Sequence, residues 1–147
     1  MSAYRTVVVG TDGSDSSLRA VEKAGSIAGA NAKLIVATAY LPTNEDARAA
    51  DALKDESYKV SGSAPIYAIL REAKERAEKG GAANVEERSI VGAPVDALVG
   101  LAEEVGADLL VVGNVGLSTI AGRLLGSVPA NVSRRAKVDV LIVHTTT

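Results

Sequence analysis

Residues Asp108 to Val128 read D-L-L-V-V-G-N-V-G-L-S-T-I-A-G-R-L-L-G-S-V, and the fold turns on how this stretch is interpreted. Leu109 to Val112 form an apolar run that stops at Gly113, the pattern of a parallel strand buried on both faces and delivering its C-terminal end to a loop. Gly113 and Gly116 let the backbone turn with its N–H groups exposed. After nine further residues, Gly126-Ser127 stands just before a helical pattern. Unpaired N–H groups at a helix N-terminus, with the positive end of its dipole, attract anions, and an adjacent glycine lets a phosphate approach the backbone. The stretch therefore predicts a strand, a phosphate cradle and a helix start. The competing interpretation makes Gly113 and Gly116 turn glycines and Ser127 a helix N-cap.

The same strand-turn-helix grammar extends in both directions. Thr6 to Val9 is a β-branched run stopped by Gly10 and followed by T-D-G-S-D-S-S. Leu18, Val21, Ala24 and Ala28 then recur at near-helical spacing, which predicts a helix from about Asp15 to Ala30. Lys33 to Tyr40 is a second apolar strand ended by Leu41-Pro42, and Thr43 to Gly62 is a polar, mixed-charge connection with a break at Ser61-Gly62-Ser63. A helix is expected to begin near Ala64-Pro65, with Ile66, Ile69, Leu70, Ala73 and Ala77 on one face and Gly80-Gly81 at its end. Val85 to Val91 is a more polar strand, suited to a sheet edge. Gly92-Ala93-Pro94 opens a third helix closed by Gly106. A last helix spans Ser127 to about Ala136, and Val138 to His144 form the last strand. Alternating strands and helices predict an α/β protein, a five-stranded parallel sheet covered on both faces.

Small polar turns at the carboxyl ends of strands are the usual ligand positions in such sheets. Asp12 is the residue to single out there, because its carboxylate can accept from an adenine amino group or a ribose hydroxyl. The alternative is that Asp12 or Ser14 caps the first helix. Ser14 or Asp15 can supply that cap, which leaves Asp12 for a ligand.

Gly113-Asn114-Val115-Gly116, then Leu117 to Arg123 and Leu125, then Gly126-Ser127-Val128 resemble the nucleotide-binding loop of the universal stress protein family. Gly10 to Ser14 and the run Val91 to Gly113 are also similar to that family, so the resemblance covers the chain nearly end to end. It implies one open, Rossmann-like domain over residues 1–147, of the adenine nucleotide alpha hydrolase-like type, with strand order 3-2-1-4-5. That order brings the ends of the first and fourth strands, and with them Asp12 and Gly113, to one crevice. The resemblance further implies a nucleotide site at Gly10, Thr11, Asp12, Ala39, Gly113, Gly116, Arg123, Gly126, Ser127 and Val128. Asp12 would contact the nucleoside, the Ala39 backbone would pair with the adenine edge, and the glycine loop would hold ribose and phosphates. It also implies a homodimer made by antiparallel pairing of the last strand, where Val138, Val140, Ile142 and Val143 offer an apolar edge.

Two loop positions depart from the family pattern. Position 115 is often basic and 114 often Ser or Thr, whereas here they are Val115 and Asn114. Without that cation, the N–H groups, Ser127 and Arg123 must balance the phosphate charge, and a triphosphate loses most. The expectation is a site that takes AMP or cyclic AMP as well as or better than ATP, with Mg²⁺ able to restore ATP affinity by bridging phosphates.

Composition narrows the functional classes. With 147 residues, 47% hydrophobic content and a formal net charge of −2, the chain has enough apolar material for a sizeable core and no general attraction to nucleic acid or anionic membrane. The four tyrosines are the only aromatic residues, too few for a base-stacking surface. Zero cysteines and one histidine exclude disulfides, thiol catalysis and a histidine-based metal centre. The sequence has neither a secretory signal pattern nor an apolar stretch near the roughly 20 residues that span a bilayer, so a soluble cytoplasmic protein is expected.

Enzyme readings find few reactive groups. No Gly-Lys-Ser/Thr order is present, and Ser118 lacks the second glycine of a nucleophile elbow. Gly13-Ser14-Asp15-Ser16 partly matches the S-G-G-x-D-S pyrophosphate loop of adenylating enzymes, but Thr11 and Asp12 stand where Ser and Gly belong. His144 suits solvent or packing better than a general base. Arg134, Arg135 and Lys137 suit dipole compensation at a helix end. The expected role is a nucleotide sensor, buffer or stress regulator with at most slow ATP hydrolysis. The alternative is an interaction dimer with a vestigial site.

Overall fold

The computed structural model describes residues 4–40, 56–113 and 127–144. In chain order the elements are β1 (Thr6–Gly10), α1 (Asp15–Ala28), β2 (Lys33–Tyr40), α2 (Glu56–Gly80), β3 (Asn84–Val91), α3 (Pro94–Val105), β4 (Leu109–Gly113), α4 (Ser127–Arg135) and β5 (Asp139–Val143). The strands form one five-stranded sheet in the order β3-β2-β1-β4-β5, and every pair is parallel. The polar third strand lies at an edge, as its composition predicts.

The apolar runs of β1, β2 and β4 are buried on both faces because side chains alternate across a strand. Val7, Val9, Leu34, Val36, Leu109 and Val111 pack under Leu18, Val21, Ala24 and Ala28 of α1 and Leu70, Ala73 and Ala77 of α2. Val8, Ile35, Ala37, Leu110 and Val112 face the opposite layer, where Leu98, Leu101 and Ala102 of α3 and Val132 of α4 cover them. Each fully buried leucine, isoleucine or valine contributes about 1.5–3 kcal/mol through apolar surface removed from water, so the three central strands and their helices hold most of the stabilising burial.

Helix α1 ends at Ala28, two residues before the predicted limit, because Gly29 takes a φ of 56° and its N–H returns to the Gly25 carbonyl. The boundary of α2 needs a larger correction. It begins at Glu56 and continues through Ser61-Gly62-Ser63 and Pro65, where the sequence predicts a break and a first turn. Pro65 removes one N–H from the helix, and the residues that anchor α2 on the sheet, Ile66, Leu70, Ala73 and Ala77, all follow it. Near the other end of α2, Gly25 and Gly80 bring α1 and α2 into backbone contact. A Cβ at Gly25 would lie 2.3 Å from the Ala77 carbonyl oxygen, and one at Gly80 would lie 2.4 Å from that of Glu22.

The strand ends away from the crevice are stitched by Asp108. Its carboxylate accepts the backbone N–H groups of Arg5 and Thr6 at 3.0–3.2 Å. Burial pushes this carboxyl up, but those N–H groups outweigh it and hold it below the ordinary carboxylate value. Beside it, the Tyr4 hydroxyl donates to Asp139 at 3.0 Å, tying β1's entry to β5.

Candidate functional site

Strand order decides where a crevice can open. After β1 the chain turns into α1 on one face of the sheet, and α4, which follows β4, covers the opposite face. Strands β1 and β4 are neighbours, so the carboxyl-end turns at Gly10 and Gly113 part to opposite sides at the topological switch point. Gly10 is buried and pairs with Ala37; Gly113 is buried and pairs with Val143. The structure thus brings Gly10, Thr11, Asp12 and Gly113 to one end of adjacent strands.

Ala39 reaches the same end from the other side of β1. The Thr11 N–H donates to the Ala37 carbonyl at 2.9 Å, whereas the Tyr40 carbonyl accepts from the Gly92 N–H at 2.8 Å. Backbone direction alternates along a strand, so Ala37 and Ala39 point towards β1 and Tyr40 points towards β3. The last β1–β2 pair is Gly10 with Ala37. The N–H and C=O of Ala39 therefore face the crevice side just beyond the end of that ladder, a donor and an acceptor at the spacing a heterocycle edge can use.

The β1–α1 turn is built as a closed polar network. Ser14 is the N-cap of α1, its hydroxyl accepting from the Ser17 N–H at 3.2 Å. That cap does not leave Asp12 unengaged, which corrects the sequence expectation. Asp12 Oδ1 accepts from the Ser14 N–H at 2.9 Å and from the Ser17 hydroxyl at 3.0 Å. Thr11 is 1% exposed, and its hydroxyl lies 2.7 Å from Ser17 Oγ and accepts from the Gly13 N–H at 3.0 Å. Both the N–H and the hydroxyl of Thr11 are thus bound within the protein. Gly13 is required in this turn: its φ is 86°, and a Cβ there would meet Ile69 of α2 at 3.0 Å.

Sequence reasoning missed Ser17. The residue is 1% exposed, and its hydroxyl is the common member of the network. A signal was available, because Ser17 precedes Val21, Ala24 and Ala28 by four, seven and eleven positions and so lies on the buried stripe of α1.

Ser127 and Val128 form the first turn of α4, where the phosphate reading requires a helix start. Gly116, Arg123 and Gly126, with Asn114 and Val115, lie outside the described residues. The basic cluster at the end of α4 is used structurally: Arg135 pairs with Asp96 at 2.6 Å and Lys137 with Glu103 at 3.6 Å, bracing α4 against α3. His144 is exposed at the end of β5. Among the described residues no cluster of three or more His, Asp or Glu side chains is placed to hold a metal, and no helix is long and apolar enough to cross a membrane. An open hollow lined by Arg19, Lys23, Lys79, Leu141 and Val143 lies between α1, the end of α2 and β5.

An open parallel sheet whose strand order reverses between β1 and β4 defines a Rossmann-like α/β protein. Residues 3–144 match the Universal stress protein family, and the chain belongs to it. It is 82% identical over 146 residues to the universal stress protein Rv1636 of Mycobacterium tuberculosis strain H37Rv, covering 99% of this chain and 100% of that one. Among solved structures it is similar to a universal stress protein in complex with cAMP, with 68% identity, a TM-score of 0.76, and 99% and 100% of the two chains covered. It is also similar to the universal stress protein from Archaeoglobus fulgidus in complex with dAMP, with 26% identity, a TM-score of 0.67, and 95% and 97% coverage.

Proposed function

We propose that this chain is a single-domain, cytoplasmic adenine-nucleotide-binding protein that takes its ligand at the carboxyl ends of β1, β2 and β4 and acts as a nucleotide sensor, buffer or stress regulator. The observation that carries this reading is the β1–β4 adjacency that sets the Gly10-Asp12 turn and Gly113 at the same end of the sheet, in a chain 68% identical to a protein crystallised with cAMP. Asp12 contacts the nucleoside, the Ala39 backbone pairs with the adenine edge, and Gly10 and Thr11 shape the floor. Gly113, Gly116, Gly126, Ser127 and Val128 cradle ribose and phosphate through backbone N–H groups and the start of α4, with Arg123 as the loop's cation.

The ligand is a nucleotide of low phosphate charge, AMP or cyclic AMP, in preference to ATP. Val115 stands where family members often carry a base, so the cradle has one positive charge fewer. Mg²⁺ narrows the gap by neutralising the triphosphate itself. The homodimer forms along β5, where Ile142 is 42% exposed on an edge strand.

The test is an equilibrium titration with a fluorescent adenine nucleotide, displaced by ATP, ADP, AMP and cyclic AMP with and without Mg²⁺. Gly113→Ala is expected to lose binding, and Val115→Arg to move the displacement order towards ATP. No binding by the wild type sinks the reading. An unchanged order in Val115→Arg sinks the electrostatic part alone.

A further inference from the structure

We propose that Ser17, which has no access to a ligand, is the positioning residue that sets the nucleoside selectivity of this site by orienting the Asp12 carboxylate. The inference rests on the proposed nucleotide site and adds to it a residue outside the crevice. Ser17 Oγ lies 3.0 Å from Asp12 Oδ1 and 3.3 Å from the Asp12 backbone nitrogen, so one hydroxyl holds both the side chain and the main chain of the same residue. The Ser14 N–H holds Oδ1 from a second direction at 2.9 Å. With Oδ1 and the backbone both fixed, the plane of the carboxylate is fixed, and with it the direction in which Asp12 can accept from a ligand.

The proton inventory supports this direction of control. Ser17 has a single hydroxyl hydrogen, and Asp12 Oδ1 and the Ser14 carbonyl oxygen both lie at 3.0 Å from its Oγ. The carboxylate is the stronger acceptor and the Ser14 carbonyl already accepts from the Leu18 N–H, so the hydrogen goes to Asp12. Thr11 Oγ1, accepting from Gly13, donates in turn to Ser17 at 2.7 Å. The result is a directed chain from Thr11 through Ser17 to Asp12, buried at its first two members and ending on the one that borders the crevice.

The same hydroxyl also meets the Ser14 cap, whose Oγ and carbonyl oxygen lie 3.2 and 3.0 Å away, and the buried Thr11 hydroxyl, so the selectivity test must separate Asp12 orientation from support of the turn. Ser17 occupies the stripe otherwise made of Val21, Ala24 and Ala28, against a core of valines, where alanine is the better helix former. A serine in that position is stable only because its hydroxyl is fully satisfied, and among the described residues no buried side-chain polar atom lacks a partner.

Oriented acceptors discriminate strongly against analogues that lack the matching donor. The experiment measures affinities of the full chain for AMP, inosine monophosphate, which lacks the exocyclic amine, and 2′- and 3′-deoxy-AMP. The variants are Ser17→Ala, Ser17→Cys, Asp12→Ala and the double variant Asp12→Ala/Ser17→Ala. In the wild type one analogue is penalised for its missing donor. In Ser17→Ala, AMP is expected to weaken by about tenfold, the scale of one misdirected hydrogen bond to a charged group. The penalised analogue changes by less than about twofold, so the selectivity collapses. In the Asp12→Ala background, loss of Ser17 adds nothing. Ser17→Cys keeps the volume with a weak donor and gives the same collapse, so the test survives if Ser17→Ala does not fold.

An equal loss for AMP and every analogue, or a loss that persists without Asp12, assigns Ser17 to general support of the turn and overturns the proposal. So does a wild type that penalises no analogue, or a Ser17→Ala protein with wild-type selectivity. A wild type that binds none of these nucleotides fails earlier, at the nucleotide site itself.

Discussion

Replacing glycine by alanine inside a helix has a known favourable term, which makes the sign of the effect at Gly25 a sharp test of the α1–α2 packing. Alanine gains about 0.8–1 kcal/mol over glycine in a helix interior. At Gly25 the new Cβ would stand 2.3 Å from the Ala77 carbonyl oxygen and 3.0 Å from the Ala77 Cα and carbonyl carbon. An ordinary carbon–oxygen contact is about 3.3 Å or more, so the helices must part by about 1 Å, and a gap of that size forfeits up to about half of each dispersion contact. The atom in the way is backbone and cannot rotate aside. Overpacking of this kind costs typically 1–3 kcal/mol, here at the upper end. The net expectation for Gly25→Ala is a loss of about 2 kcal/mol, or about 4–8 °C in melting temperature for a chain this long. Gly100, in α3, is the internal control, since a Cβ there meets nothing within 4 Å. Gly100→Ala should gain about 0.5–1 kcal/mol by propensity alone. Urea titrations that shift the midpoints in opposite directions at constant slope would support the crossing. Gly25→Ala as stable as the wild type would refute it.

Gly13→Ala places a Cβ on a residue with φ 86° and 3.0 Å from Ile69; a destabilisation of about 1–3 kcal/mol is expected, and an unchanged urea midpoint would count against the turn geometry. Asp108 supplies a pH test, because its carboxyl is held below its unfolded value by the Arg5 and Thr6 N–H groups despite burial. Its contribution is therefore fully present above the unfolded pKa of about 3.9 and is lost as pH falls through the lower folded value. Asp108→Asn should be less stable than the wild type at pH 7 and converge on it in acid; a gap that stays constant down the titration contradicts the assignment. Ile142→Lys puts a charge on the exposed edge of β5, and native mass measurement at micromolar concentration is expected to find a dimer for the wild type and a monomer for the variant. A dimer in both would place the interface elsewhere.

The central sheet was legible because burial on both faces leaves an unmistakable mark. Val7-Val8-Val9, Leu34-Ile35-Val36 and Leu109 to Val112 are uninterrupted apolar runs, and each is buried from end to end. Strand β3 was legible for the opposite reason, since only an edge strand tolerates Glu86, Glu87 and Arg88 in succession; Lys33 and Glu104 pair with two of these charges at 2.9 and 2.7 Å. Strand order was not in the periodicity and came with the family resemblance. The start of α2 was hidden because Ser61-Gly62-Ser63 and Pro65 carry breaker signals, which place the helix start nearer Ala64-Pro65 than Glu56.

At the site the legible and illegible parts divide by the kind of atom involved. Gly10, Gly113 and Asp12 announce themselves, since a glycine after an apolar run and an acid in a turn are unusual enough to notice. The contact proposed for Ala39 uses only backbone, and any residue type supplies the same N–H and C=O, so the position came from the family resemblance, and the register shows only that its backbone faces the β1 side. Ser17 is harder to see: its spacing to Val21, Ala24 and Ala28 places it on the buried stripe, but a serine closing the polar run Asp12-Gly13-Ser14-Asp15-Ser16-Ser17 reads first as solvent-facing. The buried positions nevertheless limit what Asp12 can do. A carboxylate on an unsupported turn samples many rotamers and selects weakly among ligand donors, whereas one tied by Ser14 and Ser17 presents a single face. In the proposed site, selectivity would thus be set one layer beneath the surface offered to a ligand, where Ser17 makes the buried stripe of α1 polar.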